Sequence, residues 1–252
     1  MKRIVFITGA TSGIGKTCAE KFAANGDDLI INGRRKERLE DLKKQLEETY
    51  KIEVLCAAFD VQKKEEVFET INHFPEKWKS IDILINSAGL ALGLDLFDEA
   101  NMNDWETMIQ TNINGLLYVC KAIIPFMIKR NAGHIINLGS TAGDVVYESG
   151  NVYCATKSAV EAISEAMRID LLQHRIKVTN VKPGAVETEF SLVRFKGDEG
   201  KAEKVYEGYV PLSAADVANT IFYCASLPPN VCINELQITC IAQANGIYSY
   251  KK

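Results

Sequence analysis

Arg3-Ile-Val-Phe-Ile-Thr-Gly-Ala-Thr-Ser-Gly-Ile-Gly15 is the stretch on which the reading of this chain turns. Arg3 to Thr8 is a short, largely apolar run closed by glycine, the pattern of a buried strand. Ile14, Cys18 and Phe22 then recur at helical spacing, so a helix opens directly behind the glycines. Strand, glycine turn and helix together make a phosphate cradle. Glycine permits the tight turn and close backbone approach, and the helix N-terminus attracts anions. Two other cradles fail on count. A P-loop ending in Gly15-Lys16-Thr17 needs glycine at position 10, which is Ala10, and a G-x-G-x-x-G fingerprint needs glycine at position 18, which is Cys18. What stands is T-G-x-x-x-G-x-G over Thr8–Gly15.

Outward from this unit the pattern repeats. Asp28–Asn32, Glu53–Phe59, Ile81–Asn86, Gly133–Leu138, Arg175–Val181 and Asn234–Cys240 read as further strands. Helical spacing fills the intervals at Lys36–Tyr50, Glu65–Phe74, Asn103–Lys129 (bent at Pro125), Val152–Leu172 and Ala214–Ala225. Leu90 to Asn101 is irregular. Residues 187–207 are charged and weakly periodic, the pattern of a mobile flap. Seven strands alternating with helices predict an α/β, Rossmann-type, doubly wound parallel sheet, as one domain over residues 1–252. Ligands of such sheets bind at the carboxyl ends of the strands.

Two of those ends carry chemistry. The second strand closes on Gly33-Arg34-Arg35, where a dinucleotide fold meets the adenosine ribose. A carboxylate there marks NAD; two guanidiniums favour a 2′-phosphate. The fifth strand closes on Gly139-Ser140, and Tyr153 and Lys157 follow four residues apart on one face of the next helix. A free phenol, with a pKa of about 10, is a poor base at neutral pH. An adjacent ammonium and the positive end of a helix both favour the phenolate, and lowering the pKa by about three units takes roughly 4 kcal/mol. Ser140 is placed to hydrogen-bond the same substrate oxygen. A Tyr-x-x-x-Lys pair alone is most often an exposed pair on a helix; its convergence with the other strand ends points to proton transfer on an alcohol or ketone.

Composition sets the frame. The 252 residues are 47% hydrophobic and 25% charged, with a net charge of −4. That charge argues against a nucleic-acid surface and an anionic membrane partner. No apolar run reads as a bilayer span, and the chain opens straight into a strand with no signal peptide. Seven cysteines without a C-x-x-C pair and three scattered histidines offer no metal spacing and read as reduced thiols of a cytoplasmic protein.

Over essentially its whole length the chain resembles the short-chain dehydrogenases/reductases. Thr8–Gly15, Asp60-Val61, Asn86–Gly89, Asn112, Ser140, Tyr153-x-x-x-Lys157 and Pro183-Gly184 carry the resemblance, in order and spacing. The usual Asn-Asn-Ala-Gly reads Asn86-Ser-Ala-Gly. The resemblance implies Tyr153 as general acid/base, Lys157 lowering its pKa and holding the nicotinamide ribose, Ser140 orienting the substrate oxygen, and Asn112 supporting a water relay. It implies that Gly9, Thr11, Ser12, Gly13, Ile14 and Gly15 wrap the pyrophosphate, that Asp60 and Val61 hold adenine, and that Asn86 holds the neighbouring ribose. Pro183, Gly184, Val186 and Thr188 would position the nicotinamide.

Gly33-Arg-Arg35, Asn86–Gly93 and Gly184–Gly197 are further similar to the NADP-dependent 3-hydroxy acid dehydrogenases, which include serine and L-allo-threonine dehydrogenases. That subgroup implies NADP (NADPH) as cofactor, a small-molecule substrate, and a homotetramer built on the Asn103–Lys129 and Val152–Leu172 helices. A hydroxy-acid carboxylate needs a forked cation near the nicotinamide, and Arg194 in the flap is the candidate; the competing reading pairs Arg194 with Glu189 or Asp198 on the surface. Two other functions stay open at this level: a broad carbonyl or aldehyde reductase, and a dinucleotide-binding regulator without turnover.

Overall fold

The computed structural model describes residues 2–252. β1 (Ile4–Thr8) runs into α1 (Gly13–Ala24), β2 (Asp28–Gly33), α2 (Lys36–Tyr50), β3 (Val54–Ala58) and α3 (Lys64–Asn72). β4 (Ile83–Asn86) is followed by a long loop, then α4 (Met102–Ile109), a π-turn at Gln110–Gly115 and α5 (Leu116–Arg130). β5 (Gly133–Leu138), the short α6 (Thr141–Asp144), α7 (Asn151–Asp170) and β6 (Ile176–Pro183) follow. The remainder comprises β7 (Val186–Glu187), α8 (Glu189–Arg194), α9 (Glu199–Lys204), β8 (Leu212–Ser213), α10 (Ala214–Ala225) and β9 (Glu235–Ile238).

Seven strands form one all-parallel sheet in the order β3-β2-β1-β4-β5-β6-β9, as the alternation of strands and helices predicted. Val5 and Ile7 face α1, α2 and α10, while Ile4 and Phe6 face α3, α5 and α7. With both faces covered, the central strands are apolar at nearly every position, which is why their sequence shows runs rather than alternation. Strand order reverses between β1 and β4, and the crevice outside their carboxyl ends is the ligand position of such a sheet.

The structure adds to the sequence expectations at three places. The Met102–Arg130 helix carries a π-turn around Asn112, and Pro125 sits inside α5. Its 29 residues have a mean hydropathy of 1.3 over the most apolar window, enough by length and composition to cross a membrane. Half of that window is buried, so the apolar surplus packs on the sheet. Within residues 187–207 two short helices form, α8 and α9, capped by Thr188 and Asp198. Short helices with their own caps leave little apolar periodicity to read.

His134 on β5 is buried, with Nε2 2.7 Å from Thr179 Oγ1, and burial pushes its pKa down from 6.5 to about 3. Between those values the unfolded chain binds a proton that the folded chain refuses. The stability His134 contributes is therefore complete above pH 6.5 and is lost as pH falls toward 3. By pH 4 the loss reaches about 3 kcal/mol. His134→Gln, which keeps a partner for Thr179, is expected to flatten the fall of denaturant midpoint between pH 6.5 and 4; parallel curves would assign the acid sensitivity elsewhere.

Candidate active site

A cleft of about 440 Å³ opens along the carboxyl ends of the strands. At its first wall, Gly9 and Gly13 adopt positive φ (66° and 50°), a conformation that glycine takes without strain. Gly15 does not line the cleft but makes it possible. A Cβ there would press on the Gly9 carbonyl, 2.8 Å from its carbon, so α1 starts hard against the end of β1. Thr11, Ser12, Gly13 and Ile14 face the cleft at the helix N-terminus, whose first turn carries no acidic residue. That end is electropositive.

Beside it, Arg34 and Arg35 line the cleft where β2 ends. Arg34 Nη1 lies 3.9 Å from Asp60 Oδ2, and Arg35 Nη2 lies 3.5 Å from Thr11 Oγ1. Both guanidiniums are exposed and only loosely engaged. Asp60 and Val61 line the adjoining wall after β3. Asn86 departs from its expected place: its amide turns beneath the cleft, donating to Asn137 Oδ1 (2.8 Å) and Cys120 Sγ (3.2 Å). The side chain belongs to the buried floor, and Ser87, Ala88 and Gly89 present the cleft surface at that strand end.

At the opposite end Ser140, Tyr153 and Lys157 converge with Pro183, Gly184, Val186 and Thr188. Ser140 caps α6, accepting from Ala142 N at 3.1 Å, and its hydroxyl lies 3.5 Å from Pro183 O. Tyr153 and Lys157 are both buried on α7. The ammonium donates to Leu138 O at 2.8 Å and lies 5.9 Å from the centre of the phenol ring. This arrangement changes the expected electrostatics. Burial drives the Tyr153 pKa up, with Tyr147 adding to it; the Ser140 hydroxyl and Arg194 pull the other way. Burial also lowers the Lys157 pKa to about 8. Desolvation disfavours both charged forms and outweighs the attraction that the spacing alone suggested.

Asn112 lies within the π-turn and is also off the cleft surface. Its Oδ1 accepts from Leu90 N (2.9 Å), and its Nδ2 donates to Leu90 O (2.8 Å) and Thr156 Oγ1 (3.1 Å). It fastens the loop after β4 to the helix of Tyr153. A Cβ on Gly89 would lie 3.3 Å from Asn112 Oδ1 and 3.8 Å from Lys157 Nζ, so the two groups border the same face.

Arg194 forms no ion pair with Glu189 or Asp198. Its Nε donates to Gly93 O (3.1 Å) and its Nη1 to Tyr147 OH (3.1 Å). Gly93 N in turn donates to Arg194 O at 2.9 Å. The guanidinium carbon lies 5.6 Å from the Tyr147 ring centre and 5.7 Å from that of Tyr153. Phe190 adds a second aromatic wall, 5.8 Å from the Tyr153 ring. Tyr147 and Phe190 carry no motif signal, and nothing in the sequence singled them out. Among the described residues, no group of His, Cys, Asp or Glu is arranged to hold a metal ion.

Residues 3–198 match the family model of short chain dehydrogenases. The chain belongs to the short-chain dehydrogenase family. The NADP-dependent 3-hydroxy acid dehydrogenase YdfG of Escherichia coli (strain K12) is 46% identical over 242 residues, covering 96% of each chain. Sulfoacetaldehyde reductase 2 of Chromohalobacter salexigens is 42% identical over 245 residues, 97% of this chain and 96% of that one. Among solved structures, the closed form of serine dehydrogenase complexed with NADP+ superposes with a TM-score of 0.93 at 44% identity, covering 99% of both chains. The fold is thus shared over essentially the full length, residues 187–207 included.

Proposed function

We propose that this short-chain dehydrogenase is an NADP-dependent oxidoreductase of small 3-hydroxy acids or 3-hydroxy amino acids, of the serine and L-allo-threonine type. The observation that carries the reading is the forked cation beside the phenol. Arg194, hydrogen-bonded to Tyr147 and stacked within 5.7 Å of the Tyr153 ring centre, offers a partly buried charge to an anionic substituent. An arginine so placed recognises a carboxylate bidentately and holds the carbon bearing the hydroxyl toward Tyr153. The names of the relatives agree: a hydroxy acid and a sulfonated aldehyde both carry an anion close to the reacting carbon.

The dinucleotide fits what the cleft offers. The glycine turn and α1 N-terminus suit the pyrophosphate, and Arg34 and Arg35, without a carboxylate at the end of β2, suit a 2′-phosphate. A bound nicotinamide supplies or takes up the hydride at the reacting carbon. In the alcohol-forming direction Tyr153 donates its proton to the substrate oxygen while Ser140 hydrogen-bonds the same atom. Lys157 stabilises the phenolate as it forms, and Pro183, Gly184, Val186 and Thr188 shape the nicotinamide end. Asn112 holds the loop and helix that flank Lys157. Residues 187–207 serve as the substrate flap, with α8 delivering Arg194. Exposed Leu117 on α5 and Ile169 on α7 support a homotetramer assembled through those helices, and seven free thiols suit a reducing cytoplasm.

Three outcomes test the reading. Tyr153→Phe is expected to leave NADPH binding nearly unchanged and to abolish turnover; retention of about a tenth of wild-type kcat would remove Tyr153 from the acid/base role. Arg34→Asp is expected to shift the NADPH-to-NADH preference by roughly 100-fold toward NADH in paired binding titrations. A wild-type enzyme indifferent to the two cofactors would contradict the assignment of the arginines. Arg194→Ala is expected to lower kcat/KM for serine by roughly 10- to 100-fold while sparing an uncharged aldehyde. Equal losses on both substrates would mark a damaged flap, and a broad carbonyl reductase would show no loss on either.

A further inference from the structure

Beyond β9 the chain folds back as a small hairpin. Gln243 and Ser249 face each other in an antiparallel bridge. Ala244 N donates to Tyr248 O (2.9 Å), and Tyr250 N donates to Ala242 O (2.8 Å). The hairpin touches three parts of the site. Its end meets the end of the flap, where Lys252 N donates to Gly208 O at 3.0 Å. Its tip backs onto the segment after Ser140, since a Cβ on Gly246 would lie 3.3 Å from Thr141 O. Its base reaches the turn after β6 through one side chain, Gln243.

That contact is specific. Gln243 Oε1 accepts from Ala185 N at 2.8 Å, and Ala185 O accepts from Leu212 N at 3.0 Å, so the two flanking peptides are held from opposite sides. One residue earlier, Gly184 N donates to Ile238 O at 2.8 Å, the last rung of the sheet. Gly184 is not one of the glycines at positive φ. Its lack of a side chain has another cause: a Cβ there would collide with Gln243 Oε1, with Cδ at 3.0 Å. The glycine admits the amide.

We infer that Gln243 is a positioning residue for the nicotinamide end of the cleft, acting through the Ala185 peptide on Pro183 and Gly184. Pro183 and Gly184 line the cleft beside Tyr153, and Pro183 O lies next to the Ser140 hydroxyl. The last rung of the sheet holds Gly184 N, so beyond it the Ala185 peptides are held by this hydrogen bond and by the Leu212 contact. The adenosine end, at β2 and β3, lies across the sheet order from the hairpin. Loss of the Gln243 acceptor therefore loosens one end of the cleft and leaves the other as it was.

The inference rests on the cofactor reading above, and two nucleotides separate them. NADPH spans both ends of the cleft, whereas 2′,5′-ADP has no nicotinamide and reports the adenosine end alone. Gln243→Met removes the acceptor at nearly constant volume; Gln243→Glu keeps an acceptor. By titration calorimetry, Gln243→Met is expected to bind NADPH about 10-fold more weakly and 2′,5′-ADP within about 2-fold of wild type, with Gln243→Glu restoring most of the NADPH affinity. Gly184→Ala, which expels the amide without touching Gln243, is expected to reproduce the NADPH loss, and combining it with Gln243→Met to add little. Unchanged NADPH affinity in Gln243→Met, or equal losses on both nucleotides, would overturn the positioning role. A wild-type protein that binds neither nucleotide would overturn the cofactor reading instead, and this inference with it.

Discussion

The closeness of α1 to the end of β1 is the constraint from which the site follows. Gly15 packs so tightly on the Gly9 carbonyl that no methyl group fits between them. This contact aims the α1 N-terminus across the tip of the sheet, directly over the point where strand order reverses. The remaining strand ends then have only one place to present their residues. Arg34, Asp60, Ser140 and Pro183 come from four different strand ends, and the parallel direction of those strands alone brings them to one crevice.

Around that crevice the buried charges are arranged against a desolvation cost. Tyr153 and Lys157 are both held where their charged forms are disfavoured, one pKa pushed up and the other down to about 8. Raising the phenol pKa makes the phenolate harder to form at neutral pH, so the groups that oppose burial at Tyr153, the Ser140 hydroxyl and Arg194, bear directly on proton transfer. Arg194 adds a permanent positive charge close to the phenol ring and pulls its pKa back toward neutrality. The same guanidinium ties α8 to the loop at Gly93, so the position of α8 and the acidity of the phenol share one side chain.

Polar residues beneath the cleft serve order rather than chemistry. Asn86, Asn137 and Asn180 lie in register on β4, β5 and β6, and Asn86 and Asn137 are hydrogen-bonded to each other. Asn137 continues to Ser164 on α7, about three turns along the same helix from Tyr153. Such bonds, shielded from water, fix the height of α7 relative to the sheet.

Much of this was legible in the chain alone. The central strands of the main sheet were visible as apolar runs closed by glycine or a polar residue, and their parallel direction followed from the helices between. The Thr8–Gly15 cradle, the Arg34-Arg35 pair and the Ser140, Tyr153, Lys157 set were likewise readable, because their spacing is local and each follows a strand end. The sequence by itself determined those elements, since periodicity and glycine placement act over a few residues. Tertiary structure alone decided where the side chains point and what surrounds them. It turned Asn86 into the floor, occupied the Asn112 amide with Leu90, set a π-turn at Gln110–Gly115, and reversed the expected shift of Tyr153. It also joined Arg194 to Tyr147 and Gln243 to Ala185, contacts across 47 and 58 residues of chain. Burial and long-range hydrogen bonds depend on distances in space, which no local pattern records.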